Sequence, residues 1–210
     1  MQYSLNNINT IIFDLGGVIL DLDFKASINA FHKIGLQEDI LDSNLIYFDD
    51  IFDSLQTGAA SPAQFRSKIR KILKYSEATD QQIDDAWCAM LAGIPFSRIE
   101  TILELRKKYK VFLFSNTNII HIEKLKREFA QDHDMNFESV FDKVYYSQDI
   151  HDIKPAVSSF LKVIELSEIN PAETLFVDDL EDNIKGAEKA GLKTFWFKKG
   201  LDFNKEFKII

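Results

Sequence analysis

Five short apolar runs punctuate the chain: TIIF (10–13), VFLF (111–114), KVYY (143–146), TLFV (174–177) and TFWF (194–197). Each is rich in β-branched and aromatic residues and too short for a helix, the signature of a strand buried on both faces. Helical periodicity fills most of the intervals. In RIETILELRKKY (98–109), Ile99, Ile102, Leu103 and Leu105 fall on one face. AVSSFLKVIELS (156–167), NIKGAEKAGL (183–192) and residues 118–129 read the same way, with Gly191 placed to end its helix. Buried strands alternating with amphipathic helices predict an α/β fold with a doubly wound parallel sheet.

The interval from residue 15 to 110 breaks the alternation. It carries helix-like segments at roughly 24–35, 40–56, 62–75 and 80–92 and no convincing strand. Ser61-Pro62 reads as an N-cap followed by proline at the first helical position. Residues 1–20 and 95–210 are therefore expected to form the core domain, with 21–94 an α-helical insertion over the carboxyl edge of its sheet. Within it, Tyr47, Phe48 and Phe52 read as interior packing, with a pocket wall as the alternative, and Lys68, Arg70, Lys71 and Lys74 as a solvated helix face. The tail from Lys198 carries no clear signal.

Ligands of open parallel sheets bind beyond the carboxyl ends of the strands, and here those ends are polar. Asp14 follows the first run, Ser115-Asn116-Thr117-Asn118 the second, Lys154-Pro155 the loop after the third, and Asp178-Asp179 the fourth. Each has a plainer reading. Asp14 could be a turn residue, Ser115 an N-cap, Lys154 a surface cation, and Asp178-Asp179 caps for a helix near 182. Adjacent acids at the end of a buried strand are costly without a cation, however. A carboxylate, hydroxyl and amide donors, a lysine and an acidic pair on one edge suit phosphoryl transfer with a divalent metal.

The formal charge of −8, from 33 acidic and 25 basic residues, argues against nucleic-acid binding. It also means that an anionic substrate needs a local lysine or metal. A single cysteine, no basic leader and no membrane-length apolar run point to a cytoplasmic protein without membrane or disulfide, a monomer or weak homo-oligomer. His32, His121, His133 and His151 show no ligand spacing.

FDLGGV (13–18), FSNTN (114–118), IKPA (153–156) and VDDLEDN (177–183) occur in that order, and with them the whole chain resembles the haloacid dehalogenase superfamily. The resemblance implies a Rossmann-like core with a C1-type helical cap. It is most similar to bacterial sugar-phosphate phosphatases acting on glucose 1-phosphate, and more distantly to the phosphatase domain fused to soluble epoxide hydrolase. The implied function is a Mg2+-dependent phosphomonoesterase acting on a small phosphorylated metabolite. By the same resemblance Asp14 attacks phosphorus and forms an aspartyl-phosphate. Asp14, the Gly16 backbone carbonyl and Asp179 hold the metal, while Asp178 holds a metal-bound water or orients Lys154. Ser115 and the Asn116 backbone bind phosphate, Lys154 offsets the charge, and Asn183 ties down the fourth loop.

Gly16 departs from the pattern, because most phosphatases of this superfamily carry a second Asp two residues after the nucleophile. Its absence removes general acid–base help worth about 10²–10⁴ in rate. Asp21, Asp23 or a cap residue could substitute, or metal-bound water. Alternatively the leaving group needs less help, as the anomeric hydroxyl of a sugar 1-phosphate does. Gly16 also leaves room for dehalogenase chemistry, for a phosphonatase with a Schiff-base lysine such as Lys25 or Lys33, and for a catalytically silent phosphate-binding relative. A phospho-accepting signalling module has its acidic pair and lysine in a different order.

Overall fold

Two-residue alternation within the apolar runs sets the layers of the molecule. The computed structural model describes residues 7–36, 50–73 and 77–207. Strands are β1 (Thr10–Phe13), β4 (Lys110–Ser115), β5 (Lys143–Tyr146), β6 (Thr174–Asp178) and β7 (Lys193–Trp196), numbered in chain order. All pair in parallel in the order β5-β4-β1-β6-β7. Ile11, Phe13, Val111, Leu113, Leu175 and Val177 face one layer, formed by α5 (Phe96–Leu105), α6 (Ile119–His133) and α10 (Phe203–Glu206). Ile12, Phe112, Phe114 and Phe176 face the other, formed by α8 (Val157–Ser167) and α9 (Glu181–Lys189). Burial of both faces is why these runs are apolar throughout rather than alternating. Helix boundaries among the described residues differ from the periodic windows by up to four residues, as fraying and capping decide them locally.

The chain after Asp14 leaves the sheet through a small ribbon. β2 (Asp21–Leu22) pairs antiparallel with β3 (Leu91–Gly93), joining the entry and exit of the helical segment. This corrects two expectations: the insertion does contain strand, and the helix expected over 80–92 stops at Cys88. Strands of two and three residues carry no periodicity to read.

Between the ribbon strands lie α1 (Phe24–Lys33), α2 (Asp50–Gln56), α3 (Pro62–Leu73) and α4 (Asp80–Cys88). They share a separate apolar cluster, including Phe31, Phe52, Phe65, Ile69, Ile83 and Trp87, which Ile120 of α6 joins. Phe52 is thus interior packing; Tyr47, Phe48 and Lys74 lie outside the described residues. Ser61 caps α3, its hydroxyl accepting from Gln64 N–H while Gln64 Oε1 accepts from Ser61 N–H. Arg70 is not simply solvated: it donates to Ala78 O at 2.7 Å and pairs with Asp80, linking α3 to α4. The tail is also structural, since Phe203 and Phe207 pack on Phe13 with ring centroids 5.4 and 5.1 Å away. No helix among the described residues is long and apolar enough to cross a membrane.

Candidate active site at the carboxyl edge of the sheet

The strand order reverses across β1 and β6, and the polar residues gather there. Asp14 N–H donates to Val177 O at 2.9 Å, pinning the carboxylate beside the end of β6. Lys154 reaches in from the loop after β5 and uses all three ammonium protons. It donates to Asp14 Oδ1 at 2.7 Å, Asp178 Oδ2 at 2.8 Å and Phe114 O at 3.0 Å, with its side chain only 1% exposed. Asn183 donates to both oxygens of Asp178 at 3.0 Å, and Leu180 N–H donates to Asp178 Oδ1 at 2.8 Å. Asp178 is therefore satisfied by protein groups, which suits orienting Lys154.

Oxygens of Asp14, Asp178 and Asp179 all lie within 4.8 Å of one another. One ammonium against three carboxylates leaves the cluster negative. Burial, opposed by Lys154 and reinforced by Asp178, pushes the Asp14 carboxyl up to about 7. Burial, together with Asp178, pushes Asp179 up to about 6. Burial alone would lower the Lys154 pKa, but the carboxylates of Asp14 and Asp178 outweigh it, so it is raised and the ammonium stays charged. A hard divalent cation such as Mg2+ fits the surplus charge and the all-oxygen donor set.

The two glycines after Asp14 have different reasons. Gly17 has φ +75, and a Cβ there would stand 2.3 Å from Asp179 Oδ2, so only glycine lets this loop lie against the carboxylate. At Gly16 a Cβ would stand 2.9 Å from Leu22 Cδ1. The space of the missing acid is partly filled by an apolar side chain. The suggested substitutes are elsewhere: Asp21 pairs with Arg98 at 2.7 Å and Asp23 caps α1 through Ala26 N–H. Neither lines the cavity above Asp14, nor do Lys25 and Lys33.

That cavity encloses about 350 Å³ and opens onto Asp14, Gly16, Ser115, Asn116, Lys154 and Asp179. Ser115 is buried and does not cap α6; Asn118 does, accepting from His121 N–H at 3.1 Å. The N-terminus of a four-turn helix thus backs the Ser115–Thr117 loop, a favourable setting for an anion. Of the histidines, only His121 lines the cavity. It stacks on Trp87, and burial lowers it to about 4, so it is neutral at physiological pH. His32 meets Leu36 O, His133 stacks on Phe96, and His151 meets Thr57 O.

A family model of haloacid dehalogenase-like hydrolases matches residues 8–191. The chain belongs to that family. The D-ribitol-5-phosphate phosphatase of Bacteroides thetaiotaomicron is 33% identical over 204 residues, covering 97% of this chain and 98% of its own. A haloacid dehalogenase family enzyme from the same species, solved with magnesium and inorganic phosphate, has a TM-score of 0.88 at 35% identity, covering 96% of this hydrolase and all of that chain. A HAD-like family hydrolase structure from Porphyromonas gingivalis has a TM-score of 0.83 at 33% identity, covering 93% and 94%.

Two groups that support the hydrolase site were not read from sequence. The Asn116 side chain, rather than only its backbone, clamps Lys154: Lys154 N–H donates to Oδ1 at 3.0 Å and Nδ2 donates to Lys154 O at 2.8 Å. Trp196 donates from Nε1 to Asp179 O at 2.9 Å, tying β7 to the acidic loop. Both pairings join residues far apart in the chain, and no local pattern announces them.

Proposed function

We propose that this hydrolase is a Mg2+-dependent phosphomonoesterase acting on a small phosphorylated metabolite, with residues 21–94 as a cap over the core. The observation that carries the reading is the floor of the cavity. Asp14 and Lys154 touch there, with Asp178 and Asp179 beside them and the Ser115–Thr117 loop at the end of the neighbouring strand. The carboxylates of Asp14 and Asp179, with the Gly16 carbonyl, would hold Mg2+, which supplies charge neutralisation for the phosphoryl oxygens when bound.

The Asp14 carboxylate attacks phosphorus, forming the aspartyl–phosphorus bond as the bond to the leaving oxygen breaks. Water then attacks the same phosphorus, the bond to Asp14 breaks, and inorganic phosphate is released. Ser115 and backbone N–H groups of its loop hold phosphate oxygens. Lys154 carries positive charge to the same place and keeps Asp14 oriented through the transfer. Dehalogenase chemistry would leave the three-carboxylate cluster without a purpose.

With Leu22 where an acid would project, the leaving oxygen departs without a positioned side-chain proton donor at Gly16. An anomeric oxygen tolerates this best, which favours a sugar 1-phosphate such as glucose 1-phosphate. An alditol phosphate is the second reading, favoured by the D-ribitol-5-phosphate phosphatase that matches this chain along 97% of its length. The test is phosphate release from glucose 1-phosphate, glucose 6-phosphate and D-ribitol 5-phosphate, with and without Mg2+ and with Asp14→Asn as control. Mg2+-dependent release that Asp14→Asn abolishes is expected, with the 1-phosphate ahead of its 6-phosphate isomer. Release that survives Asp14→Asn would remove the mechanism. Equal rates on the two isomers would remove the leaving-group argument alone.

A further inference from the structure

Among the described residues, the part of the cavity wall contributed by the helical segment and its ribbon is apolar except at one point. Leu22, Phe24, Trp87, Met90 and Leu91 line it, and Gln56 is the one amide-bearing residue among them. Gln56 is the last residue of α2. Its backbone is held from the core: Ser147, fully buried at the start of α7 (Ser147–Ile150), donates from Oγ to Gln56 O at 2.6 Å. The same hydroxyl accepts from Thr117 N–H at 2.9 Å, two residues beyond Ser115. The Thr117 carbonyl is farther, at 3.1 Å, so the shorter contact to Gln56 takes the single proton.

Two further contacts extend the clamp along the chain. His151 donates from Nδ1 to Thr57 O at 2.9 Å. Gly58 follows at φ +72, where a Cβ would stand 2.8 Å from Gln148 O, so no other residue fits this approach. Three consecutive residues at the end of α2 are therefore fixed on α7, and Ser147 ties them to the loop beneath the phosphate. A lone amide lining an apolar wall, with its backbone fixed from the core, has the attributes of a recognition group.

We infer that Gln56 reads the leaving group and that Ser147 is the positioning residue that sets Gln56 against the Ser115–Thr117 loop. The inference rests on the phosphatase reading. An amide offers two donors and an acceptor, which match hydroxyl groups. The charged residues lining the cavity, among those described, are Asp14, Lys154 and Asp179, all at its floor. The substrate class is then a phosphomonoester with an uncharged, hydroxyl-bearing leaving group. A second phosphate or a carboxylate on the substrate would meet no counter-charge among the described residues of that wall.

The experiment compares kcat/KM for the best hydroxylated substrate of the panel with that for phenyl phosphate, which has no hydroxyl. The ratio of the two is independent of how much of a preparation is correctly folded. Gln56→Leu keeps the bulk and removes the amide, and should lower the ratio by about tenfold, the worth of one hydrogen bond between uncharged groups. Ser147→Ala should lower it in the same direction. The double variant should be no worse than Gln56→Leu, because Ser147 acts through Gln56. A ratio that stays at the wild-type value in Gln56→Leu, while the wild type turns over both esters, overturns this inference and leaves the phosphatase reading standing. Pyrophosphate turned over as well as the hydroxylated ester overturns the uncharged class. A wild type that releases phosphate from no ester defeats the phosphatase reading and this inference together.

Discussion

Lys154→Met isolates the electrostatics of the site floor from its chemistry. The side chain keeps its length, and what disappears is one ammonium bonded to Asp14, Asp178 and the Phe114 carbonyl. With Lys154 1% exposed and Asp178 fully buried, water cannot replace it without rearrangement. Removing one partner of a buried ion pair costs about 3–5 kcal/mol, because the other charge is left uncompensated. For a chain of this size each kcal/mol is worth roughly 2–4 °C in Tm. Metal-free Lys154→Met should therefore melt about 6–20 °C below wild type at pH 8, above the wild-type Asp14 value of about 7.

The pH dependence gives the sharper test. Burial already holds the folded Asp14 carboxyl at about 7, well above its ordinary value, and Lys154 is the group that pulls it down. Without the lysine it rises further. An acid whose folded pKa is raised loses stability as pH climbs from the unfolded value through the folded one, and regains it on protonation. The variant has the higher folded value, so the gap from wild type should be widest at pH 8 and should close as pH falls toward 5.5. Differential scanning fluorimetry of both proteins in chelator-treated buffer measures it. A gap that is absent at pH 8, or that widens on acidification, would refute the account of Lys154 as the neutralising group.

The same site predicts a proton–metal competition: with Asp14 at about 7 and Asp179 at about 6, Mg2+ must displace protons at low pH, so its affinity by calorimetry should be about twentyfold weaker at pH 6 than at pH 8. Restoring the absent acid requires room as well as a carboxylate. Gly16→Asp combined with Leu22→Ala should raise kcat on an ordinary alkyl phosphate by about 10²-fold, the low end of positioned acid catalysis, and change the sugar 1-phosphate much less. Gly16→Asp alone should gain less, since its Cβ would meet Leu22. A loss on both esters in the folded double variant would count against the missing-acid account.

What was legible in the sequence is what local pattern encodes. The five sheet strands could be read because burial on both faces makes each a continuous apolar run. The groups at their ends could be read because a parallel sheet delivers every carboxyl terminus to one edge. Asp14, Lys154 and the Asp178-Asp179 pair are far apart in the chain, yet that rule alone places them together. The structure adds what depends on tertiary neighbours. Ser115 reads as a cap for the helix that follows, and the loop path from β4 gives that place to Asn118. Asp21 and Asp23 look equally available as acids, and Arg98 and the first turn of α1 claim them. The i,i+4 spacing of Phe203 and Phe207 was a readable signal for α10, obscured by the lysines around it.

Gly16 shows how the two kinds of information combine. From sequence it is one absent side chain, which another residue could supply. In the structure the absence is also a matter of shape, because a Cβ at Gly16 would stand 2.9 Å from Leu22 Cδ1, and Leu22 sits on the ribbon through which the chain enters the helical segment. The neighbouring Leu91, on the opposite strand of that ribbon, and Met90 beside it continue the apolar wall. A proton donor introduced at Gly16 would therefore stand against hydrocarbon, and burial would raise its pKa and favour its neutral form. A neutral carboxyl can donate to a leaving oxygen, and the carboxylate it then becomes can take a proton from the attacking water. Recovering both half-reactions predicts faster turnover of Gly16→Asp without accumulation of the phosphorylated Asp14 species in a rapid-quench time course; accumulation would show that the new carboxylate, held against Leu22, does not reach the attacking water.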